Sequence, residues 1–316
     1  MTTRVIIVTI EIASHELSFP ELDIKQTETT IMTVNAATYW DIRDRRLAFT
    51  DRPIIMGILN VTPDSFSDGG KFYSVQSAVD QAKRMEDHGA AILDVGGEST
   101  RPYSESVAQE EELRRVTEVL ERLQGKVAIP ISIDTKKATV ASAAIQLGAS
   151  IINDVSGLEA DPAMVDVAKQ TGAGVCAMHM QGTPQTMQDN PRYDDVVEDI
   201  LLYLKQRRQW LINHGIEESK ICLDPGIGFG KTHEHNITLL QNASRFHETL
   251  QPVLIGHSRK GFIAKLLGSK DVSRTLGTVG VSLSLVLQKI QVLRVHDVME
   301  HKQAIDLFLA CNPRMH

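Results

Sequence analysis

The chain has 316 residues, 42% of them hydrophobic, with 21 Gly and 11 Pro. That is ordinary globular composition, long enough for two domains or for one large α/β domain. The net charge of −7 excludes a general attraction to nucleic acid or anionic membranes, and no apolar run approaches the roughly 20 residues of a membrane-spanning helix. Cys176, Cys222 and Cys311 show no paired spacing, and the first two lie in apolar runs. They read as small buried thiols in a reducing cytoplasm.

The first 50 residues carry the least information. "TRVIIVTIEIA" reads as a strand, because its apolar core is too short for a secretory signal and Glu11 interrupts it. Residues 1–50 are therefore expected to be an N-terminal extension, a strand or hairpin, and 51–316 one barrel domain. From Pro53 a rhythm sets in: a short β-branched run, polar residues, a helical pattern, then the next run. The predicted strands are "PIIMGILN", "AAILDVGG", "AIPISIDT", "SIINDVSG", "GVCAMHM", "KICLDPG", "PVLIGHS" and "VLRVHDV". Predicted helices between them include "SVQSAVDQAKRMEDHG", "EEELRRVTEVLERLQG", "KKATVASAAIQLG", "PAMVDVAKQTG" and "DDVVEDILLYLKQRRQWLINHG", all ending in glycine. Continuous apolar runs are the mark of buried parallel strands. Eight such units over about 260 residues predict a closed (β/α)8 TIM barrel. A doubly wound open sheet is the rival, but the glycine-rich turn expected after its first strand is missing.

In such a barrel the site gathers at the C-terminal ends of the strands. Those ends carry Asn60, Asp94, Asp134, Asn153 with Asp154, Met178 with His179, Asp224, Ser258-Arg259-Lys260, and Arg294 with His296 and Asp297. Carboxylates and amides deep in a barrel suit a flat, donor-rich heterocycle. Arg101, Arg259, Lys260, Arg294 and His296 suit an anion such as a phosphate, and the Asn60 oxygen suits a Mg²⁺ shared with a diphosphate. The histidines of "HEH" lack a third ligand at zinc spacing. His88, His214 and His247 read as surface residues, Lys136 and Lys137 as a solvated helix start, and "QEEELRR" as a solvated helix face.

The motifs "GILNVTPDSFSDGG", "DVGGESTRP", "SIDT", "INDVSG", "MHMQGTPQTMQ", "DPGIGFGK", "SRK" and "RVHDV", in this order, resemble the dihydropteroate synthase family from about Pro53 to about Asp306. The resemblance implies a transferase of folate synthesis. It joins 7,8-dihydropterin-6-ylmethyl diphosphate to 4-aminobenzoate, with Mg²⁺, and releases diphosphate. It further implies a sulfonamide target and a homodimer. On that basis Asp134, Asn153, Asp224 and Lys260 hold the pterin, Met178 lines its pocket and Arg294 lies against the ring. Asn60, Arg294 and His296 hold the diphosphate, Asn60 through Mg²⁺. Thr100, Pro102, Phe229 and Ser258 border the aminobenzoate, and Arg101 meets the diphosphate when its loop closes. Asp134, Lys260, Arg294 and Asp94 are the catalytic candidates. The segment after Asn60 is expected to be a lid, with Phe66 covering the reacting centre. Tyr103, His257 and Gly261 depart from the family pattern. Two rivals are a methyltransferase of the related pterin-binding group, which needs neither "NVTPDSFSDGG" nor "STRP", and a non-catalytic binding protein.

Overall fold

The computed structural model describes residues 36–61, 71–99, 103–268 and 274–312. The chain divides into two units, Met1–Thr33 and Val34–His316. The first lies outside the described residues, as do the predicted strand near its start, the segment with Phe66, and Thr100, Arg101 and Pro102.

A short antiparallel hairpin opens the second unit: β1, Tyr39–Ile42, and β2, Arg45–Ala48. Eight strands follow: β3 Ile54–Asn60, β4 Ile92–Gly96, β5 Ile131–Asp134, β6 Ile151–Asp154, β7 Gly174–Met178, β8 Ile221–Asp224, β9 Leu254–Ile255 and β10 Val292–Val295. They form one parallel sheet in the order β8-β7-β6-β5-β4-β3-β10-β9. A parallel bridge between Leu223 and Val253 joins its two edges. The sheet therefore closes into the eight-stranded barrel, and the open-sheet rival falls.

The helices around it are α1 Lys71–Asp87, α2 Gln109–Leu123, α3 Ala138–Gln146, α4 Met164–Thr171, α5 Val196–Asn213, α6 His233–Gln241, α7 Gly261–Leu266, α8 Arg274–Leu287 and α9 Val298–Ala310. Local chemistry sets their ends. The Asp195 carboxylate accepts from the amides of Val197 and Glu198 at the start of α5. Thr232 and His235 cap α6 reciprocally, which gives the second histidine of "HEH" a structural task. Among the described residues no helix is long and apolar enough to cross a membrane.

Side chains two apart on a strand share a face. Met56, Ile92, Ile151, Cys176, Cys222, Leu254 and Val292 form an apolar layer near the strands' N-terminal ends, joined there by Trp40 and Ile42 of the hairpin. Trp40 is fully buried, and its indole N–H donates to the Lys220 carbonyl at 2.9 Å. The hairpin sits so close that a Cβ on Gly174 would stand 2.7 Å from the Ile42 methyl. The hairpin is thus the stopper of the barrel floor. Trp40→Ala empties a large volume that rigid strands refill poorly. It is expected to cost about 3–5 kcal/mol, read as a lower urea midpoint at unchanged m. A loss under about 1 kcal/mol would show that the hairpin is an ornament.

Candidate active site

The same two-residue period builds the site. One step beyond the apolar layer, Ile92 is followed by Asp94, Ile151 by Asn153, Cys176 by Met178, Cys222 by Asp224 and Val292 by Arg294. Each polar residue therefore points into the bowl above a dry floor.

Arg294 organises this layer. Its Nε donates to Asp94 Oδ2 and its Nη2 to Asp134 Oδ2, each at 2.6 Å. Asn153 Nδ2 donates to the same Asp94 oxygen at 3.1 Å. Asp94 Oδ1 is buried with no hydrogen-bond partner among the described residues. Burial pushes the Asp134 carboxyl up to about 7; Arg294 opposes this, but shares its charge with Asp94. Burial likewise lifts Asp224 to about 6, although the Gly226 amide donates to its Oδ1 at 2.7 Å. Gly226 has φ +71°, and a Cβ there would overlap the His179 carbonyl oxygen at 2.0 Å. Only glycine lets the loops after β7 and β8 approach this closely.

The opposite wall is cationic and apolar. Lys260 Nζ lies 3.9 Å from the centre of the Phe229 ring, and Phe229 packs with Val155, Met178 and Met187. Burial lowers the Lys260 ammonium to about 8, with Arg294 next in effect. Ser258 Oγ accepts from the His296 amide at 3.2 Å and meets the His296 ring at 2.9 Å, tying the ends of β9 and β10 together.

Several expected residues stand elsewhere. Arg259 has φ +57° and turns along the rim to form an ion pair with Asp297. Asp154 is turned onto its own loop, where its Oδ1 takes the Ser156 amide at 2.7 Å. His247 is buried, not at the surface; its Nε2 meets the Gln288 carbonyl at 2.9 Å. Tyr103, at φ +62°, occupies left-handed backbone that suits glycine better, and its amide donates to the Pro184 carbonyl at 3.0 Å.

Lys137 and the acidic run also depart from the expectation of solvated charge. Lys137 Nζ reaches Glu98 Oε2 at 2.5 Å, the Val107 carbonyl at 2.8 Å, and Glu112. Glu112 is fully buried, and its other oxygen accepts from Thr135 Oγ1 at 2.6 Å. Lys136 lies 3.4 Å from Glu98, so two ammonium groups balance two carboxylates behind the end of β5. A signal was present: Glu112 sits in register with the buried stripe Val116, Val119, Leu120 and Leu123 of α2.

A buried bowl offers acceptors on one side and cations on the other. The profile of the family described as "Pterin binding enzyme" covers residues 56–296. The chain belongs to this family. Dihydropteroate synthase of Escherichia coli K12 is 44% identical over 253 residues, 80% of this chain and 89% of that protein. The synthase of Neisseria meningitidis serogroup C is 45% identical over 259 residues, 81% and 91% of the two chains. Among solved structures, the Xanthomonas albilineans dihydropteroate synthase with 4-aminobenzoic acid is 41% identical. It has a TM-score of 0.81 and covers 88% of this chain and 100% of that one. The same synthase with 7,8-dihydropteroate is 39% identical, with a TM-score of 0.78 over 87% and 100%. The pterin-binding family profile spans every described residue of the bowl, from the Met56 end of β3 to His296.

Proposed function

We propose that this chain is a dihydropteroate synthase: it joins 7,8-dihydropterin-6-ylmethyl diphosphate to 4-aminobenzoate and releases diphosphate. The observation that carries this reading is the Asp94–Arg294–Asp134 bridge above a sealed apolar floor, with an unpartnered buried acceptor beside it. A pterin supplies the missing donors. Its amino-amidine edge suits Asp224 and Asn153, and its ring suits the wall of Met178 and Phe229.

In the reaction the amine nitrogen forms a bond to the pterin methylene as the carbon–oxygen bond to diphosphate breaks. The amine proton leaves to solvent or to the departing diphosphate. Positive charge develops on the pterin, and Asp134 is placed to stabilise it electrostatically. Lys260, Arg294 and His296 attract the diphosphate. Asn60, half-buried at the end of β3, offers a hard amide oxygen, and among the described residues there is no cluster of three or more acidic, histidine or cysteine ligands. This donor set fits a Mg²⁺ held largely by substrate oxygens and water. When bound, Mg²⁺ would neutralise charge on the leaving diphosphate. A homodimer belongs to the same reading: Leu266, Leu276 and Leu287 of α7 and α8 are exposed, and sedimentation velocity decides it.

Titration calorimetry tests the order of binding. The pterin diphosphate should bind alone, and aminobenzoate only once a pterin and diphosphate are present. Aminobenzoate binding to the empty protein with full affinity would contradict the reading.

The acid–base behaviour follows from burial. Asp134 and Asp224 act as carboxylates, so lowering pH through 7 and then 6 protonates them and kcat/KM falls. Raising pH through about 8 discharges Lys260 and weakens the anion side. A bell between these limits is expected for the pterin substrate. For the empty protein the sign reverses. Raised carboxyl pKa values make the folded state bind more protons than the unfolded one, so these two groups lower stability as pH rises from about 4 to 7. A flat kcat/KM from pH 5.5 to 9 would refute the assignment.

A further inference from the structure

Lys231 is among the most completely buried side chains in the molecule, with 2% of its surface exposed. Its Nζ donates to the Phe229 carbonyl at 2.8 Å, to His179 Nδ1 at 3.1 Å and to the His179 carbonyl at 3.5 Å. These acceptors are neutral. A buried ammonium held by neutral groups is costly, and hydrogen bonding alone would be met more cheaply by an amide or a hydroxyl.

The place of this charge explains it. Phe229 carries the ring beneath Lys260. His179 follows Met178, and its amide donates to the Asp224 carbonyl at 2.9 Å. We infer that Lys231 is a positioning residue of the pterin pocket: its ammonium clamps the loops after β7 and β8 together, at Phe229 on one side and His179 on the other, beside the strand end that carries Asp224. This rests on the reading above, in which Asp224 takes the pterin edge as a carboxylate.

The surroundings agree. Burial lowers Lys231 to about 7, while the Asp224 charge pulls it up and Lys260 pushes it down. On Asp224, burial is opposed by Gly226, Lys231, Arg294 and Lys260. Burial, then the Lys231 charge, lowers His179 to about 3, so its ring stays neutral and accepts at Nδ1. The other facing groups are phenols and an imidazole. Tyr203 packs edge-on to His179 with ring centres 4.8 Å apart, Tyr193 is 6.0 Å from His179, and His235 stacks edge-on to Tyr193. Tyr193 also donates from its hydroxyl to the Gly230 carbonyl at 2.7 Å. Burial raises both phenols, so neither supplies an anion to pair with Lys231.

The test uses the full chain with Lys231→Met and Lys231→Gln. Affinity for 7,8-dihydropterin-6-ylmethyl diphosphate is titrated from pH 5.5 to 8.5, with thermal midpoints alongside. Gln keeps a donor for the Phe229 carbonyl but lacks the charge. Both variants should lose about tenfold in affinity at pH 6 and much less at pH 8.5, because Asp224 without the Lys231 charge holds its proton to higher pH. Gln should restore the midpoint lost in Met without restoring affinity at pH 6. Equal weakening at both pH values, an unmoved acid limb, or failure of both variants to fold would make Lys231 a structural strut and overturn the inference. Wild-type protein that does not bind the pterin at all would instead refute the functional reading.

Discussion

Asp134→Asn is expected to lower kcat by roughly 10²–10³ while the protein stays folded. The transition state gathers positive charge on the pterin, and a preorganised carboxylate in a dry site is worth about 3–4 kcal/mol there. Stability should not suffer. The carboxyl is pushed up to about 7 by burial, so its charge is a cost to the empty fold. Asparagine keeps an oxygen for Arg294 Nη2 and removes that cost. Asp94→Asn should cost less turnover, because Asp94 serves chiefly to hold Arg294 and Asn153. Steady-state rates for both variants, with circular dichroism spectra, decide the order. Near-native kcat in a folded Asp134→Asn protein would remove the electrostatic role.

Arg294→Met should be the most damaging single change. It leaves Asp94 and Asp134 buried and facing each other without the shared guanidinium. Breaking a buried ion pair from one side costs about 3–5 kcal/mol. Part of that is recovered as Asp134 takes up a proton, so the loss should be smaller near pH 5 than at pH 8. Turnover should vanish at either pH, since the anion side loses its central charge. Chemical denaturation at the two pH values measures the first effect. An unchanged midpoint at pH 8 would mean the bridge is not the keystone of the bowl.

Much of this was legible in the residues. The runs ending in Asn60, Asp94, Asp134, Asn153 and Asp224 became β3, β4, β5, β6 and β8, because continuous apolar runs with turn chemistry after them admit few other structures. Once the barrel is assumed, the two-residue period also assigns Asp94, Asn153, Asp224 and Arg294 to its interior. What could not be read depends on which helix lies against which loop. Glu112 and Lys137 look like ordinary surface charge until α2 is docked beside the end of β5. Arg259 stands in the same motif as Lys260, yet a left-handed backbone turns it to Asp297. His247 lies in a 3-10 segment whose buried side only the Gln288 contact reveals. The hairpin is short and its partner layer is dispersed over seven strands, so Trp40 gives no local sign that it closes the barrel.

This bowl couples two substrates with loss of diphosphate. Diphosphate release, read by ion chromatography of quenched samples, tests it most directly. Release should require the pterin diphosphate, 4-aminobenzoate and Mg²⁺ together, yield 7,8-dihydropteroate in equal amount, and stop when Mg²⁺ is chelated. Folded protein that binds the pterin but releases no diphosphate with all three present would contradict the account.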